Sequence, residues 1–218
     1  CNTQLSAKNF RELPALGDLL VTLGLYAWQI QIMIPMGRAL EDETLLLQPY
    51  QLLELVPLVA SVMTSCRARG LVTHAGDNIG YFGPHEHTLR KSISRTGHTS
   101  GCGAGHNHLS VDQVGNFKAC SALDGPEHFV ANLRSTDVAS VWRDSESLAS
   151  YASDVELHGY CARCYYASVC RGGCSATSIA LTGARGNNPY CHHRALELAR
   201  EGLRERLVPI GTHRGGLR

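Results

Sequence analysis

Seven of the nine cysteines in this 218-residue chain lie between Cys102 and Cys191, and their crowding constrains the fold more than any other feature. Cys1 and Cys66 stand apart, while Cys102, Cys120, Cys161, Cys164, Cys170, Cys174 and Cys191 fill the second half. Disulfide frameworks belong mainly to short secreted domains, and this chain shows no charged n-region followed by an apolar h-region that would mark export. Metal binding by thiolates is therefore the leading expectation. Cys161-Ala-Arg-Cys164 can aim two sulfurs at one centre. Gly172 and Gly173 between Cys170 and Cys174 argue against regular helix there and for a backbone that curls round an inorganic core. Cys191 follows Asn187-Asn188-Pro189, where a last helix is expected to begin, so its thiolate would face unpaired N–H groups. Ligand chemistry alone leaves zinc and iron–sulfur clusters open. The interleaved spacings and the glycines beside the cysteines place iron–sulfur ahead of zinc, and both ahead of disulfides.

The first ninety-odd residues carry a different pattern. Pro14 opens a helix with Leu13, Leu16, Leu20 and Leu23 at helical spacing, ended by Gly24. Tyr26 to Ile34 alternates, with Trp28, Ile30, Ile32 and Ile34 on one face of a strand. A longer helix is predicted from Pro49 to Arg69, with Leu52, Leu55, Val56, Val59, Met63 and Cys66 in one stripe, Pro57 kinking or splitting it, and Gly70 as its stop. Cys66 reads as a buried thiol. An extended segment over residues 70–76 leads into the glycine-rich loop 77–84, which puts Asp77 and Asn78 at the carboxyl end of a strand, where parallel α/β sheets carry functional loops. Asp77 is a candidate substrate-facing carboxylate, and a purely structural turn explains the glycines of this loop equally well.

Near residue 92 the composition turns to Ser, Thr and Gly, a linker into the cysteine-rich part. Residues 109–120 alternate around Gly115 and predict a hairpin that returns Cys120 towards Cys102. A helix is expected from Ser175 to Leu181, ended by Gly183, while His192, His193 and the basic tail with Arg204, Arg206, Arg214 and Arg218 read as a solvated face and a frayed end. The formal charge of +1, with 18% charged residues, argues against a nucleic-acid partner. No unbroken run of eighteen apolar residues occurs, so no membrane span is expected. Cys1 in place of an initiator Met points to a processed chain or a fragment.

The full spacing is similar to a known signature. Cys102, twelve residues, Gly115, four residues, Cys120, then Cys161-x2-Cys164-x5-Cys170-x3-Cys174, a gap and Cys191, together with Arg171-Gly172-Gly173-Cys174 and Pro189-Tyr190-Cys191, resembles the SPASM domain of radical S-adenosylmethionine enzymes that modify peptides and proteins. The stretch Trp28 to Pro35 with Gly37-Arg38-Ala39 resembles the late part of the radical SAM partial barrel. The resemblance implies an α/β chain: the C-terminal portion of a partial (β/α) barrel over residues 1–95, then a cysteine-rich α+β SPASM module with a C-terminal helix over 96–218. It implies two auxiliary 4Fe-4S clusters, one on Cys102, Cys120 and Cys174, the other on Cys161, Cys164, Cys170 and Cys191. It further implies S-adenosylmethionine in the full-length enzyme, with Ile32 and Ile34 helping to hold its adenosine part, a peptide or protein substrate, a reduced donor such as ferredoxin or flavodoxin, and a cytoplasmic location.

Three departures from the family pattern qualify this. No eighth cysteine precedes Cys102, which leaves an open iron or a ligand such as His98 or His106. Ser121 stands where sulfatase-maturing relatives carry an aspartate, which favours peptide maturation instead. The CxxxCxxC loop that holds the catalytic cluster is absent, since Thr177 occupies the third position after Cys170-x3-Cys174. Two further readings of the residues are a stand-alone iron–sulfur electron-transfer module and a zinc-stabilised interaction domain.

Overall fold

A computed structural model describes residues 1–92, 94–123, 125–153 and 155–208. The first half builds a three-stranded parallel sheet in sequence order from β1 (Asn2–Leu5), β2 (Ala27–Ile32) and β3 (Val72–Ala75), with Thr3 opposite Ile30 and Trp28 opposite Thr73. Each crossover is helical: α1 (Leu13–Thr22) joins β1 to β2, and α2 (Leu52–Ala68) joins β2 to β3. Parallel neighbours need such crossovers because a tight turn cannot reverse the chain direction twice. The alternation of β2 is as the sequence predicts, with Trp28, Ile30 and Ile32 buried. Ile34 lies past the end of the strand and is half-buried.

The helices carry the expected stripes, with two corrections. Leu13, Gly17 and Leu20 form the buried line of α1, while Leu23 follows its last residue and is 64% exposed. Pro57 does not split α2, which runs unbroken from Leu52 to Ala68. The proline removes one N–H donor to the Leu53 carbonyl, but Leu55, Val56 and Val59 around it are fully buried, and that packing holds the helix together. By length and composition the stretch Glu43–Ala68, with a mean hydropathy of 1.4, is apolar enough to cross a membrane. Here it works as a core helix: its stripe from Leu52 to Cys66 joins Leu5, Phe10, Trp28 and Ile30 in the main hydrophobic cluster.

Cys66 is fully buried, as expected. Its sulfur is the nearest atom, at 3.0 Å, to the place a side chain on Gly17 would occupy, so the glycine is what lets α1 and α2 approach. Cys66→Ala is expected to cost only packing, on the order of 1 kcal/mol, and to leave bound iron unchanged. Chemical denaturation beside iron analysis checks both halves of that expectation.

A short helix, α3 (Glu86–Arg90), follows the loop after β3, and the second half begins with an antiparallel sheet, β4 (Ser110–Val111), β5 (Asn116–Lys118) and β6 (Phe129–Asn132). The Asp112 carboxylate accepts the N–H groups of Val114 and Asn116, and Gly115 takes the positive φ of 92° that this turn needs. Behind it pack α4 (Val138–Asp144) and α5 (Glu146–Ala152), started by the side chains of Asp137 and Ser145, each of which accepts a backbone N–H of the first turn. Phe117, Ala119, Val141 and Leu148 form this part's own small core. Four short helices follow: α6 (Gly159–Ala162), α7 (Ala167–Cys170), α8 (Ser175–Thr182) and α9 (His192–Arg200). Tyr190 and Ala195 return to the main cluster of the first half, and the Tyr190 hydroxyl donates to the Leu47 carbonyl at 2.6 Å.

Candidate metal centre

The cysteines sit where short helices start and stop. Cys161 is in α6, Cys164 follows two residues beyond its end, and Cys170 closes α7. Arg171, Gly172 and Gly173 then take φ values of 50°, 79° and 67°, a left-handed run that breaks the helix and re-aims Cys174. Glycine is needed at the second of these, because a Cβ on Gly172 would stand 2.8 Å from the Gly186 Cα where two backbone segments cross. Cys174 and Cys191 occupy the N-cap positions of α8 and α9, and the Cys191 sulfur accepts the Arg194 N–H at 3.5 Å.

This placement sorts the seven cysteines into two groups, and all are free thiols. Cys161, Cys164, Cys170 and Cys191 line one cavity, whose other walls are mainly aromatic: Tyr81, Phe82, Tyr160 and Tyr166, with His193. Phe82 and Tyr166 stack at 4.2 Å between ring centroids, and His193 meets Tyr166 edge-on at 5.0 Å. Burial pushes the Cys170 thiol up to about 12, with Cys161 and Cys164 adding to it, and burial together with the neighbouring sulfurs raises Cys191. Cys102, Cys120 and Cys174 make the second group. Burial lifts Cys174 to about 11, against hydrogen bonds from Thr177, and Cys102 and Cys120 raise it further. In each of these thiols burial and the neighbouring sulfurs outweigh the hydrogen bonds that favour the thiolate.

Backbone donors already point at the sulfurs. The N–H of Asn188 faces Cys161, that of Gly173 faces Cys170, that of Thr177 faces Cys174, and those of Ala122 and Leu123 face Cys120. Buried side-chain atoms beside them that have no hydrogen-bond partner include the Asn188 Nδ2 and the His192 Nδ1. Among the described residues no three His, Cys, Asp or Glu side chains converge closely enough to hold a single metal ion. The sulfurs surround a space and do not meet at a point.

The two groups meet the parallel sheet at the loop after β3, which is held from every side. The Asn78 amide pairs with both the N–H and the carbonyl of Ile32 at the end of β2. The Glu86 carboxylate accepts the N–H of Tyr81 at 2.9 Å and of Thr99 at 2.8 Å. Arg90, 2% exposed, donates to the carbonyls of Ala75, Gly76 and Ile79, with Glu86 3.5 Å from its Nε. The Tyr81 hydroxyl donates to the Asp77 carbonyl and accepts the Cys174 N–H at 3.0 Å; burial, with Cys174 adding, holds its pKa well above the usual phenol range, so it stays protonated. The Asp77 side chain is 75% exposed, 3.8 Å from Arg90, and near enough to raise the Cys120 thiol.

The remaining candidates fall as follows. The Ile32 side chain is buried in the main core. His98 bonds the Thr99 carbonyl through Nδ1 and lies beside Phe82, His106 is exposed and faces Arg171, and Ser121 is exposed. His192 and His193 are not on a solvated face. His192 is 1% exposed and His193 lines the four-cysteine cavity, because the first turn of α9 tucks under the loop, with their N–H groups donating to Gly80 and Tyr81 carbonyls. Arg204 lies over the Tyr50 ring, and Arg214 and Arg218 lie outside the described residues.

No family model matches the chain. An AdoMet-dependent heme synthase from Methanosarcina barkeri is 26% identical over 202 residues, which cover 88% of this chain and 55% of that protein. The mycofactocin maturase MftC from Mycolicibacterium smegmatis is 32% identical over 118 residues, 53% of this chain and 30% of the maturase. Among solved structures, anSMEcpe with bound AdoMet superposes with a TM-score of 0.61 over 90% of this chain and 52% of its own, at 12% identity. SuiB from Streptococcus suis bound to S-adenosylmethionine gives 0.57 over 87% and 42%, at 17% identity. Together these homologues and structure neighbours support a radical SAM SPASM-domain protein. They support 4Fe-4S and S-adenosylmethionine only in general terms. The chain is mixed α/β with a parallel sheet, and it spans about half the length of the heme synthases it matches.

Proposed function

We propose that this chain supplies the auxiliary-cluster part of a radical SAM enzyme that modifies a peptide or protein. In this reading residues 1–95 close a partial (β/α) barrel and residues 96–218 form the SPASM module. Cys161, Cys164, Cys170 and Cys191 hold one 4Fe-4S cluster, and Cys102, Cys120 and Cys174 hold a second with one iron open to another ligand. The observation that carries it is the division of Cys170 from Cys174: the first lines the four-cysteine cavity, and the second, four residues on, is turned towards Cys102 and Cys120.

The donor chemistry fits such clusters. A zinc ion, with Zn–S near 2.3 Å, would draw its sulfurs to within about 4 Å of one another, whereas a four-iron core keeps each thiolate on its own corner. The cavity walls, the N–H groups aimed at sulfur and the unpartnered Asn188 Nδ2 suit a core that carries its own sulfide acceptors. When bound, the clusters supply one-electron transfer. The chain's own part is to exclude water with Tyr160, Tyr166, Phe82 and His193, and to tune potential through N–H···S bonds. Ile32 and Ile34, at the carboxyl end of β2, would help to hold the adenosine of S-adenosylmethionine. Support for a peptide substrate comes from SuiB, solved bound to precursor peptide SuiA, whose fold this chain shares at a TM-score of 0.55, and from the maturase among its relatives. A ferredoxin or flavodoxin in the cytoplasm would supply electrons.

The test is elemental analysis of protein purified without oxygen. About eight iron and about eight acid-labile sulfide atoms per chain are expected. Stoichiometric zinc without sulfide, or a folded chain free of metal, would overturn the proposal.

A further inference from the structure

Tyr81 is the residue at which the two cysteine groups touch the same side chain. Its ring lines the four-cysteine cavity, and a Cβ on Gly173, just before Cys174, would stand 2.9 Å from that ring. Its hydroxyl accepts the N–H of Cys174, from the other group. The backbone here is unusual: Tyr81 and Phe82 have φ of 75° and 52°, consecutive left-handed non-glycine residues, a conformation that persists only where its surroundings over-determine it. They do. Glu86 accepts the Tyr81 N–H, His193 donates to the Tyr81 carbonyl, and His192 donates to the carbonyl of Gly80.

The direction of the hydrogen bonds gives this arrangement an electrical consequence. Because the hydroxyl proton is committed to the Asp77 carbonyl, the oxygen lone pairs face Cys174 and occupy its N–H. Thr177 and the residues after Cys120 aim N–H groups at sulfur, and such bonds stabilise the reduced, more negative cluster and raise its potential. The Cys174 N–H is withheld from that set. We propose that Tyr81 is a positioning residue shared by the two centres, which keeps the reduction potential of the Cys102/Cys120/Cys174 centre low by holding the Cys174 N–H away from sulfur. This rests on the two-cluster reading above. A low potential at that centre favours electron flow from it to the four-cysteine centre.

The experiment is an EPR-monitored redox titration of the anaerobically purified chain, with Cys174→Ala and Cys170→Ala assigning the two signals. Tyr81→Phe frees the Cys174 N–H to turn towards sulfur, so the midpoint of the three-cysteine centre is expected to move positive while the other stays in place. Replacing Tyr81 with 3-fluorotyrosine keeps the ring and both hydrogen bonds but weakens the acceptor, and is expected to give a smaller shift of the same sign. It decides the matter if the Phe variant fails to load iron. An unmoved three-cysteine centre, or equal shifts at both centres, overturns the inference. Wild-type protein lacking two clusters would instead overturn the reading beneath it.

Discussion

Cys170→Ala and Cys174→Ala, four residues apart, are expected to remove different clusters. Each should lower iron and sulfide to about half, and the EPR signal lost from one should survive in the other. Two cysteines at that spacing on a regular helix would share a face and serve one centre. Here Arg171, Gly172 and Gly173 intervene in left-handed conformation, and the Cys174 N–H is held by Tyr81, so the second sulfur faces the other way. The structural losses should differ as well. Helices α6 and α7 span four residues each, far below the length at which a helix holds itself in water, so the segment around the four-cysteine cavity depends on what fills it. Cys174→Ala alters the N-cap of α8, but that helix is twice as long and is held beyond its end by Ser178 donating to the Ala184 carbonyl. Hydrogen exchange should therefore rise over residues 159–170 in Cys170→Ala and stay low there in Cys174→Ala. Loss of the same signal in both variants would contradict the proposed ligand sets.

What could be read from the sequence was whatever is encoded locally. The glycine stops after α1, α2 and α8, the alternation of β2, the turn at Gly115 and the N-cap placement of Cys191 each depend on a few adjacent residues. The short strands β1 and β6 escape notice because four residues carry too little pattern, and they are fixed by partners elsewhere in the chain. Helices α4 and α5 were not expected from the sequence, although Asp137 and Ser145 are N-cap residues of the usual kind. The polar framework of the site has no local signature at all. Asn78 reaches 46 residues back to Ile32, Tyr81 reaches 93 forward to Cys174, and the burial of His192 depends on the loop that α9 docks against. Each is a contact between residues far apart in the chain, which composition and periodicity do not record.

Arg90→Met is expected to give the largest loss of stability away from the cysteines, about 3–5 kcal/mol. Methionine fills much of the same space, so the effect isolates the charge and its donors. Its removal strips donors from the carbonyls of Ala75, Gly76 and Ile79, and leaves the buried Glu86 carboxylate without its cation. The loop they hold carries Asp77, Asn78 and Tyr81, so the damage reaches the junction between the sheet and the cysteine groups. Glu86→Gln should cost less, because its remaining oxygen can still accept one of the N–H groups of Tyr81 and Thr99. The double variant should lose less than the sum of the two, since the uncompensated carboxylate that dominates Arg90→Met is then gone. Urea denaturation of the three variants gives all of these values. Additive losses, or an Arg90→Met effect below about 1 kcal/mol, would mean that the loop is held by packing and not by this buried pair.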